Sequence, residues 1–276
     1  MVARLRAAGC VFAEEEAALL LAEATDRHPD ADPRDHGAAR AAELEAMTAA
    51  RVAGEPLETV LGWAAFAGRR IIVRPGVFVP RRRTERLAGA AVAAARAADA
   101  PVVVDLCCGS GAIAAVLADD VPGAAVHAAD VDPVAVACAA RNLVPRGVEV
   151  HRGDLLDALP DHLRGRIDVL AANVPYVPHG ELDLMPPEAR VHEPEATRDG
   201  GSDGLQVLRR VAQASGAWLA PDGLLLVEVA DAQLDAALDT LAAAGLEARA
   251  DPSAAAADDE DDEDDGTRVV IGRRRR

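Results

Sequence analysis

The chain has 276 residues, and 50% of them are hydrophobic, which is enough to bury the core of one large domain and a small one. All 29 of its basic residues are arginine, so catalysis that requires a lysine, such as Schiff-base chemistry, is excluded. The formal net charge of -17 argues against a broad nucleic-acid surface or an anionic membrane as partner, although eight of the acids fall in the run 258–265.

The sequence shows no feature of a metal protein, a secreted protein or a membrane protein. Its four cysteines, Cys10, Cys107, Cys108 and Cys138, lack metal-ligand spacing, so no metal site is predicted. There is no charged-then-apolar leader and no apolar run of about 18 residues. We therefore expect a cytoplasmic protein with no membrane partner, and a monomer is the default expectation.

The first part of the chain is predicted to be helical. Its residue pattern predicts helices over 17–24 and 38–52, and Gly54 marks the end of the second. We take residues 1–60 as a small helical N-terminal domain. Residues 61–80 follow as a linker that contains a short hairpin.

Beyond the linker, strands and helices alternate, which predicts an α/β domain over residues 81–276. Thr84 is predicted to cap a helix that runs to Ala98. Such alternation is typical of a doubly wound, mostly parallel, Rossmann-like sheet, here of seven strands. The acidic run 258–265 is predicted to be a loop, which makes the last two strands antiparallel. The predicted strands are 102–106, 125–130, 148–151, 167–172, 224–229, 246–250 and 268–271, with helices within 109–118, 133–142, 203–217 and 231–243.

A glycine-rich loop follows the first strand of this domain. Gly109 and Gly111 let the backbone approach a ligand, and the loop amides are available as hydrogen-bond donors. Asp130 ends the second strand, where its carboxylate can accept both hydroxyls of a ribose. We therefore expect a nucleoside-containing cofactor at this edge of the sheet.

The spacing of the loop glycines also fits a dinucleotide-binding fingerprint, so it does not identify the ligand by itself. Asp105 precedes the loop and favours a ligand with a positive centre, an ammonium or a sulfonium, since it would repel a pyrophosphate. The alternative role of Asp105 is to cap the turn that follows it. Asp154, at the end of the third strand, can accept the exocyclic amine of an adenine while Leu155 packs against the ring.

The most informative segment is Asn173-Val174-Pro175-Tyr176, directly after the fourth strand. The Asn173 side-chain carbonyl and the Val174 main-chain carbonyl are two acceptors that can hold both hydrogens of an NH2 group on an amide or a nucleobase. Pro175 restrains the turn, and Tyr176 offers a flat face to a planar target. The segment therefore predicts a site that acts on a planar nitrogen beside the cofactor.

Together, these motifs resemble those of class I S-adenosylmethionine-dependent methyltransferases of the Asn-Pro-Pro-Tyr type. More closely, the chain resembles the release factor glutamine methyltransferases over nearly its whole length. Three positions depart from that family's pattern, as in a divergent branch: Val174 stands for a Pro, Arg82-Arg83 for Pro-Asp, and Cys107-Cys108 for Gly-Thr. The matching segments are 54–57, 79–85, 105–111, 173–176, 192–194 and 268–273.

The resemblance implies S-adenosylmethionine as cofactor and a protein glutamine, that of the Gly-Gly-Gln sequence of peptide chain release factors, as methyl acceptor. It also implies that the N-terminal helices grip the protein substrate, and no direct nucleic-acid partner is expected. The candidate catalytic residues are Asn173, Val174, Pro175 and Tyr176. The candidate cofactor-binding residues are Asp105, Cys107, Cys108, Gly109, Ser110, Gly111, Asp130, Asp154, Leu155 and Asn173.

Other functions fit part of the pattern. A nucleic-acid methyltransferase acting on adenine or guanine amines shares the tetrapeptide, but the acidic charge and the lack of a target-recognition domain oppose it. A nicotinamide dehydrogenase fits the glycine loop and Asp130, yet leaves Asp105 and residues 173–176 without a role. The last alternative is a module that binds the cofactor without catalysis, which applies if Val174 or the two loop cysteines disable the site.

Overall fold

The computed structural model describes residues 1–28, 36–252 and 266–275. The acidic run 258–265, predicted to be a loop, lies outside these residues. Among the described residues, no helix combines the length and the apolar character needed to cross a membrane.

The N-terminal part of the chain is helical, as predicted. Leu5, Leu20 and Leu61 are buried where its helices meet, so this part has a small apolar core of its own. Gly54 follows the third helix with a φ of 96°, which suits glycine and explains why the helix ends there. The first and fourth helices described below are too short to show a periodic pattern, so the sequence does not predict them. In the described part of this region the helices are α1 Val2–Ala7, α2 Ala13–Asp26, α3 His36–Val52 and α4 Leu57–Leu61.

A two-stranded hairpin joins the helices to the rest of the molecule. Its strands, β1 (Trp63–Phe66) and β2 (Arg69–Ile72), pair antiparallel, which confirms the predicted hairpin. Phe66 and Ile71 are fully buried in the core of the large domain, while Trp63 packs against the N-terminal apolar cluster. The hairpin therefore contacts both cores.

Among the described residues, seven strands form the central sheet: β3 Val102–Leu106, β4 Ala125–Asp130, β5 Glu149–Arg152, β6 Ile167–Ala172, β7 Leu219–Ala230, β8 Leu246–Ala250 and β9 Thr267–Arg274. Their order across the sheet is β5-β4-β3-β6-β7-β9-β8. Of these seven, β9 alone runs opposite to the other six, which confirms the predicted mostly parallel, doubly wound sheet and the antiparallel last pair.

Helices cover both faces of this sheet. Three helices, which contribute Leu87, Ile113 and Leu143, are buried against one face. Two others, which contribute Leu208 and Leu241, are buried against the opposite face. The strands are therefore buried on both sides, as their continuous apolar runs predict. The helices of this domain are α5 Glu85–Ala95, α6 Ala112–Asp120, α7 Pro133–Leu143, α8 Pro187–His192, α9 Gln206–Ser215 and α10 Leu234–Ala243.

The register of the parallel strands brings the predicted site residues to one edge. Leu106, the last residue of β3, pairs with Ala129 on one side and Ala172 on the other. The loops that follow β3, β4 and β6 therefore emerge side by side at the carboxyl ends of the strands, which is where such sheets bind ligands.

An ion-pair network ties the N-terminal helices to the large domain. The guanidinium of Arg51, on α3, bonds the Glu16 carboxylate at 2.7 Å and the Glu188 carboxylate of α8 at 2.6 Å. Side-chain hydrogen bonding to Glu16 raises the pKa of Arg51 above its usual value. Because Arg51 and Glu16 are both buried, removing either partner would leave a buried charge without compensation.

Candidate active site

The glycine loop connects β3 to α6, and backbone geometry explains both of its glycines. Gly109 and Gly111 have φ values of 55° and 81°. A Cβ on Gly111 would lie 2.7 Å from Cδ1 of Leu143, on α7, so this position excludes any side chain. Around Gly109 the corresponding space is open. The loop therefore leaves room for a ligand over Gly109, while Gly111 allows two helices to pack closely.

Asp105 is 1% exposed at the end of β3. One carboxylate oxygen accepts a hydrogen bond of 2.9 Å from the backbone amide of Ala114, in the first turn of α6. The other oxygen, Oδ1, is buried without a hydrogen-bond partner among the described residues. Burial raises the pKa of Asp105 to about 7; the Ala114 amide opposes this shift and Asp130 adds to it. Asp105 thus holds the first turn of α6 and keeps one oxygen without a donor among the described residues, while its predicted contact with a cationic ligand stays a prediction.

Asp130 lies beside the glycine loop, as predicted. Its Oδ2 accepts a 2.9 Å hydrogen bond from the Gly109 amide, and its Oδ1 accepts one of the same length from Asp132. Burial raises the pKa of Asp130, and these amides oppose the shift. Each oxygen keeps a second lone pair, so the carboxylate is held in place and can still accept ligand hydroxyls.

The two loop cysteines differ in exposure. Cys108 is buried, and its amide donates a 3.0 Å hydrogen bond to the carbonyl of Ala129, which fastens the loop to β4. Cys107 is partly exposed and has a φ of 57°, the left-handed region that favours glycine. Burial raises the pKa of both thiols above their usual value, so they are protonated and unreactive at neutral pH. Ser110, also buried, accepts a hydrogen bond at its carbonyl from the Asn142 side chain.

Asp154 and Leu155 lie farther along the same edge. The prediction that Asp154 ends the third strand is wrong, because β5 ends at Arg152 and Asp154 opens the next turn. Its carboxylate forms an exposed 2.6 Å ion pair with Arg210, on α9. This pair borders an open depression whose lining also includes Leu155 and Gln213. Arg210 is thus a neighbour of the candidate adenine site that the sequence did not indicate.

Asn173 follows β6 and is held by a residue from a distant motif. Its amide nitrogen donates a 3.2 Å hydrogen bond to the hydroxyl of Thr84, which is buried just before α5. The prediction that Thr84 caps α5 is wrong: its φ and ψ are helical, its side chain makes no capping bond, and the helix ends at Ala95. Among the described residues, none donates a hydrogen bond to the Asn173 side-chain oxygen or to the Val174 carbonyl. Both acceptors predicted from the sequence therefore lack a donor among the described residues, and Val174 itself is 1% exposed.

Pro175 and Tyr176 complete the segment, and the tyrosine is held at both ends. Its hydroxyl donates a 3.4 Å hydrogen bond to the buried carboxylate of Glu228, on β7. Burial raises the pKa of Tyr176 to about 12; Glu228 adds to this shift and Arg83 opposes it. Arg83, one of the residues that depart from the family pattern, lies 3.9 Å from the same carboxylate. The tyrosine is therefore neutral, and its ring is fixed beside the acceptors.

Gln233 fixes the backbone of this segment, and the sequence analysis missed it. Its amide nitrogen donates to the carbonyls of Tyr176, at 2.8 Å, and Asp203, at 3.1 Å. Its oxygen accepts from the amide of Ala230, at the end of β7. Gly204 leaves the space for this contact, because a Cβ there would collide with Gln233 and with the Tyr176 carbonyl. The sequence does offer one indication of this role, because Gln233 is a polar residue just beyond the carboxyl end of β7, the strand next to β6.

Residues 79–85 and 192–194, two more of the segments that match the family pattern, contact each other. The carboxylate of Glu193, 5% exposed, accepts hydrogen bonds from the Arg81 guanidinium and from the Val79 amide. Burial raises the pKa of Glu193, and Arg81 opposes the shift. This contact joins residues 79–85, which include Thr84, to the segment around Glu193 that follows residues 173–176 in the chain.

Comparisons with known proteins agree with this geometry. The family model described as "Methyltransferase small domain" matches residues 69–190. The chain is similar to a release factor glutamine methyltransferase of Streptomyces coelicolor, 43% identical over 189 residues that cover 68% of this chain and 67% of that protein. It is also similar to a release factor glutamine methyltransferase of Cereibacter sphaeroides, 37% identical over 257 residues, 89% of this chain and 88% of that protein.

A third relative has another name. A 4-amino-L-phenylalanine/4-methylamino-L-phenylalanine methyltransferase of Streptomyces pristinaespiralis is 38% identical over 189 residues, which cover 67% of this chain and 64% of that protein. All three relatives are methyltransferases. With the strand order and the glycine loop, these similarities confirm the predicted class I methyltransferase fold and its cofactor, S-adenosylmethionine.

Proposed function

Because the chain belongs to the release factor glutamine methyltransferase family, we propose that it methylates the side-chain amide nitrogen of a protein glutamine, in the Gly-Gly-Gln sequence of a peptide chain release factor. The observation that carries the proposal is the pair of acceptors just after β6, the Asn173 side-chain oxygen and the Val174 carbonyl, to which none of the described residues donates a hydrogen bond. Two acceptors suit the two N–H groups of a primary amide.

The cofactor supplies an electrophilic methyl group on a sulfonium. The residues present fit it: Asp105 has a buried oxygen without a partner, the backbone over Gly109 is open, and Asp130 is held with lone pairs to spare. We assign the cofactor to Asp105, Asp130 and the loop of Cys107, Cys108, Gly109, Ser110 and Gly111, with Asp154, Leu155 and Asn173 completing the assignment.

An amide nitrogen is a poor nucleophile because its lone pair is conjugated with the carbonyl. In the proposed reaction, Asn173 and Val174 accept both N–H hydrogens and so orient the lone pair toward the methyl donor. The same acceptors stabilise the positive charge that grows on the nitrogen during transfer. Pro175 restrains the turn, and the neutral Tyr176 contributes a flat surface for the planar amide. A strong general base is unnecessary, since the nitrogen becomes acidic once it is methylated.

The domain assignments complete the proposal. Residues 1–60 form the domain that grips the release factor, residues 61–80 the hairpin linker, and residues 81–276 the methyltransferase domain. The substrate is a protein and the reaction takes place in the cytoplasm, where release factors act. The Arg51 network that joins α3 to α8 supports this division, because it holds the helical domain in a fixed position beside the site.

A second candidate is methylation of an aromatic amine on a small molecule, which the 4-amino-L-phenylalanine methyltransferase among the relatives favours. An aniline also presents a planar NH2 group with two hydrogens, so the same acceptors suit it. The two candidates differ in what binds beyond the nitrogen, a folded protein or a free amino acid.

The experiment that tests the proposal is mass spectrometry of release factors incubated with the purified protein and S-adenosylmethionine. The expected result is one added methyl group, localised to the Gly-Gly-Gln glutamine. A release factor whose Gly-Gly-Gln glutamine is replaced by alanine is the matched control and should gain none. Methylation of 4-amino-L-phenylalanine without methylation of the release factors would replace the proposal by the second candidate.

A further inference from the structure

Two histidines and a glutamate lie together on β4 and β5, at the edge of the sheet and apart from the candidate active site. Nδ1 of His127 is 3.2 Å from Nε2 of His151. The carboxylate oxygen Oε2 of Glu149 is 3.8 Å from the first nitrogen and 4.0 Å from the second. The pairing of β4 with β5 produces this cluster, because His127 is the partner of Glu149, and His151 is the next residue on the same face.

The three atoms have the spacing of metal ligands. A point equidistant from them lies about 2.1 Å from each, which is the length of a zinc bond to a histidine nitrogen or a carboxylate oxygen. Two imidazoles and one carboxylate are also a ligand set that zinc prefers, with a fourth position left for water.

The surroundings allow an ion to enter and the rings to bind it. The side chains of His127 and His151 are 6% and 15% exposed, whereas that of Glu149 is 65% exposed. When each ring carries its proton on the nitrogen that faces away, the two facing nitrogens both present a lone pair to a metal.

We propose that His127, Glu149 and His151 form a binding site for a divalent transition-metal ion of the zinc type. The ion fastens β5, the outermost strand of the sheet, to β4, whose last residue is Asp130. The ion thereby braces, from outside the active site, the strand that ends at the proposed ribose contact. Cysteine spacing in the sequence gives no sign of this site, because its ligands come from two separate strands.

Isothermal titration of the full chain with zinc chloride, after treatment with a chelator, tests the site. Millimolar magnesium is kept in the buffer to compete for any site built from oxygen ligands alone. The expected result is one zinc ion per chain, together with a rise in the unfolding temperature of several degrees. The His151→Gln and Glu149→Gln variants should each bind zinc at least about tenfold more weakly.

His179→Gln is the matched control, since His179 belongs to a separate exposed group with Glu195 and Asp199. This variant should bind zinc as the parent chain does. Glu149 is exposed, so the Glu149→Gln variant stays folded even if His151→Gln does not. Thermal unfolding of each variant without zinc checks that it is folded. Absence of zinc binding, or equal affinity in the parent chain, His151→Gln and Glu149→Gln, would overturn the proposal and leave an ordinary hydrogen bond between two neutral rings.

Discussion

The amide nitrogen of Asn173 lies 3.2 Å from the hydroxyl oxygen of Thr84, a residue 89 positions earlier in the chain. Because the nitrogen donates to Thr84, the side-chain oxygen of Asn173 is the atom left to accept from a substrate. Two segments of the family pattern, 79–85 and 173–176, therefore act as one unit, in which the first orients the acceptor provided by the second.

Replacing Asn173 by alanine should abolish most of the turnover. The substitution removes one of the two acceptors that stabilise charge on the reacting nitrogen, and a loss of about 10²- to 10³-fold in kcat is expected. S-Adenosylhomocysteine should still bind with nearly unchanged affinity, measured by isothermal titration, because Asp105 and Asp130 are untouched. Loss of both turnover and cofactor binding would show that Asn173 has a structural role instead.

Replacing Thr84 by valine should lower kcat, although Thr84 contacts neither substrate nor cofactor in the proposed reaction. Valine has the same shape but cannot accept the hydrogen bond, so the Asn173 amide is free to rotate, and a loss of about fivefold in kcat is expected, equivalent to one hydrogen bond of about 1 kcal/mol. Serine restores the hydroxyl and is the matched control. A serine variant as slow as the valine variant would mean that packing at Thr84, and not its hydrogen bond, is what matters.

Replacing Gln233 by leucine should weaken the site without touching the acceptors themselves. The change leaves the carbonyls of Tyr176 and Asp203 without their side-chain donor, at a cost of about 1 to 3 kcal/mol in the free energy of unfolding. The freed segment should also raise KM for the protein substrate, while cofactor affinity stays near that of the parent chain. Unchanged stability and unchanged KM would refute the positioning role of Gln233.

The sheet and the two central motifs could be predicted from the sequence because they follow from local pattern. Strands buried on both faces produce continuous apolar runs such as that of β3, and parallel strands place the loops after β3 and β6 at one edge. The site residues Asp105, Asp130 and Asn173 all lie where that argument puts them.

What the sequence did not indicate depends on contacts between distant segments. Thr84 has the residue type of a helix cap, and only its approach to Asn173 shows its actual bond. Gln233 follows the carboxyl end of β7 and Arg210 lies on α9, and their contacts with Tyr176 and Asp154 appear only once these distant segments are packed together. The cluster of His127 and His151 likewise needs the pairing of two strands to bring its members together.

The affinity for S-adenosylmethionine should depend on pH through Asp105. Burial raises the pKa of this carboxyl to about 7, so at lower pH it is protonated and cannot attract a cation. The affinity, measured by isothermal titration, should therefore rise between about pH 6 and pH 8 and then level off. In Asp105→Asn this dependence should disappear; an equal slope in both proteins would exclude Asp105 as the titrating group.

The same shift predicts a pH dependence of stability in the absence of cofactor. The folded pKa of Asp105 lies above its ordinary value of 3.8, so the stability that this carboxyl contributes is complete below that value and is lost as the pH rises through about 7. Asp105→Asn lacks this loss. Its free energy of unfolding relative to the parent chain should therefore grow between about pH 4 and pH 7 in urea titrations, and a constant difference would contradict the raised pKa.

The two loop glycines should differ in their tolerance of alanine. Gly111 has a φ of 81°, and a Cβ there would lie 2.7 Å from a Leu143 side chain that is fully buried. Gly111→Ala therefore combines backbone strain with overpacking, at a cost of about 2 to 4 kcal/mol in the free energy of unfolding. Gly109→Ala is the matched control, since its φ of 55° costs about 1 kcal/mol and its Cβ meets open space. Urea unfolding should rank the two in this order, and equal losses would mean that contact with α7 does not determine the choice of glycine at 111.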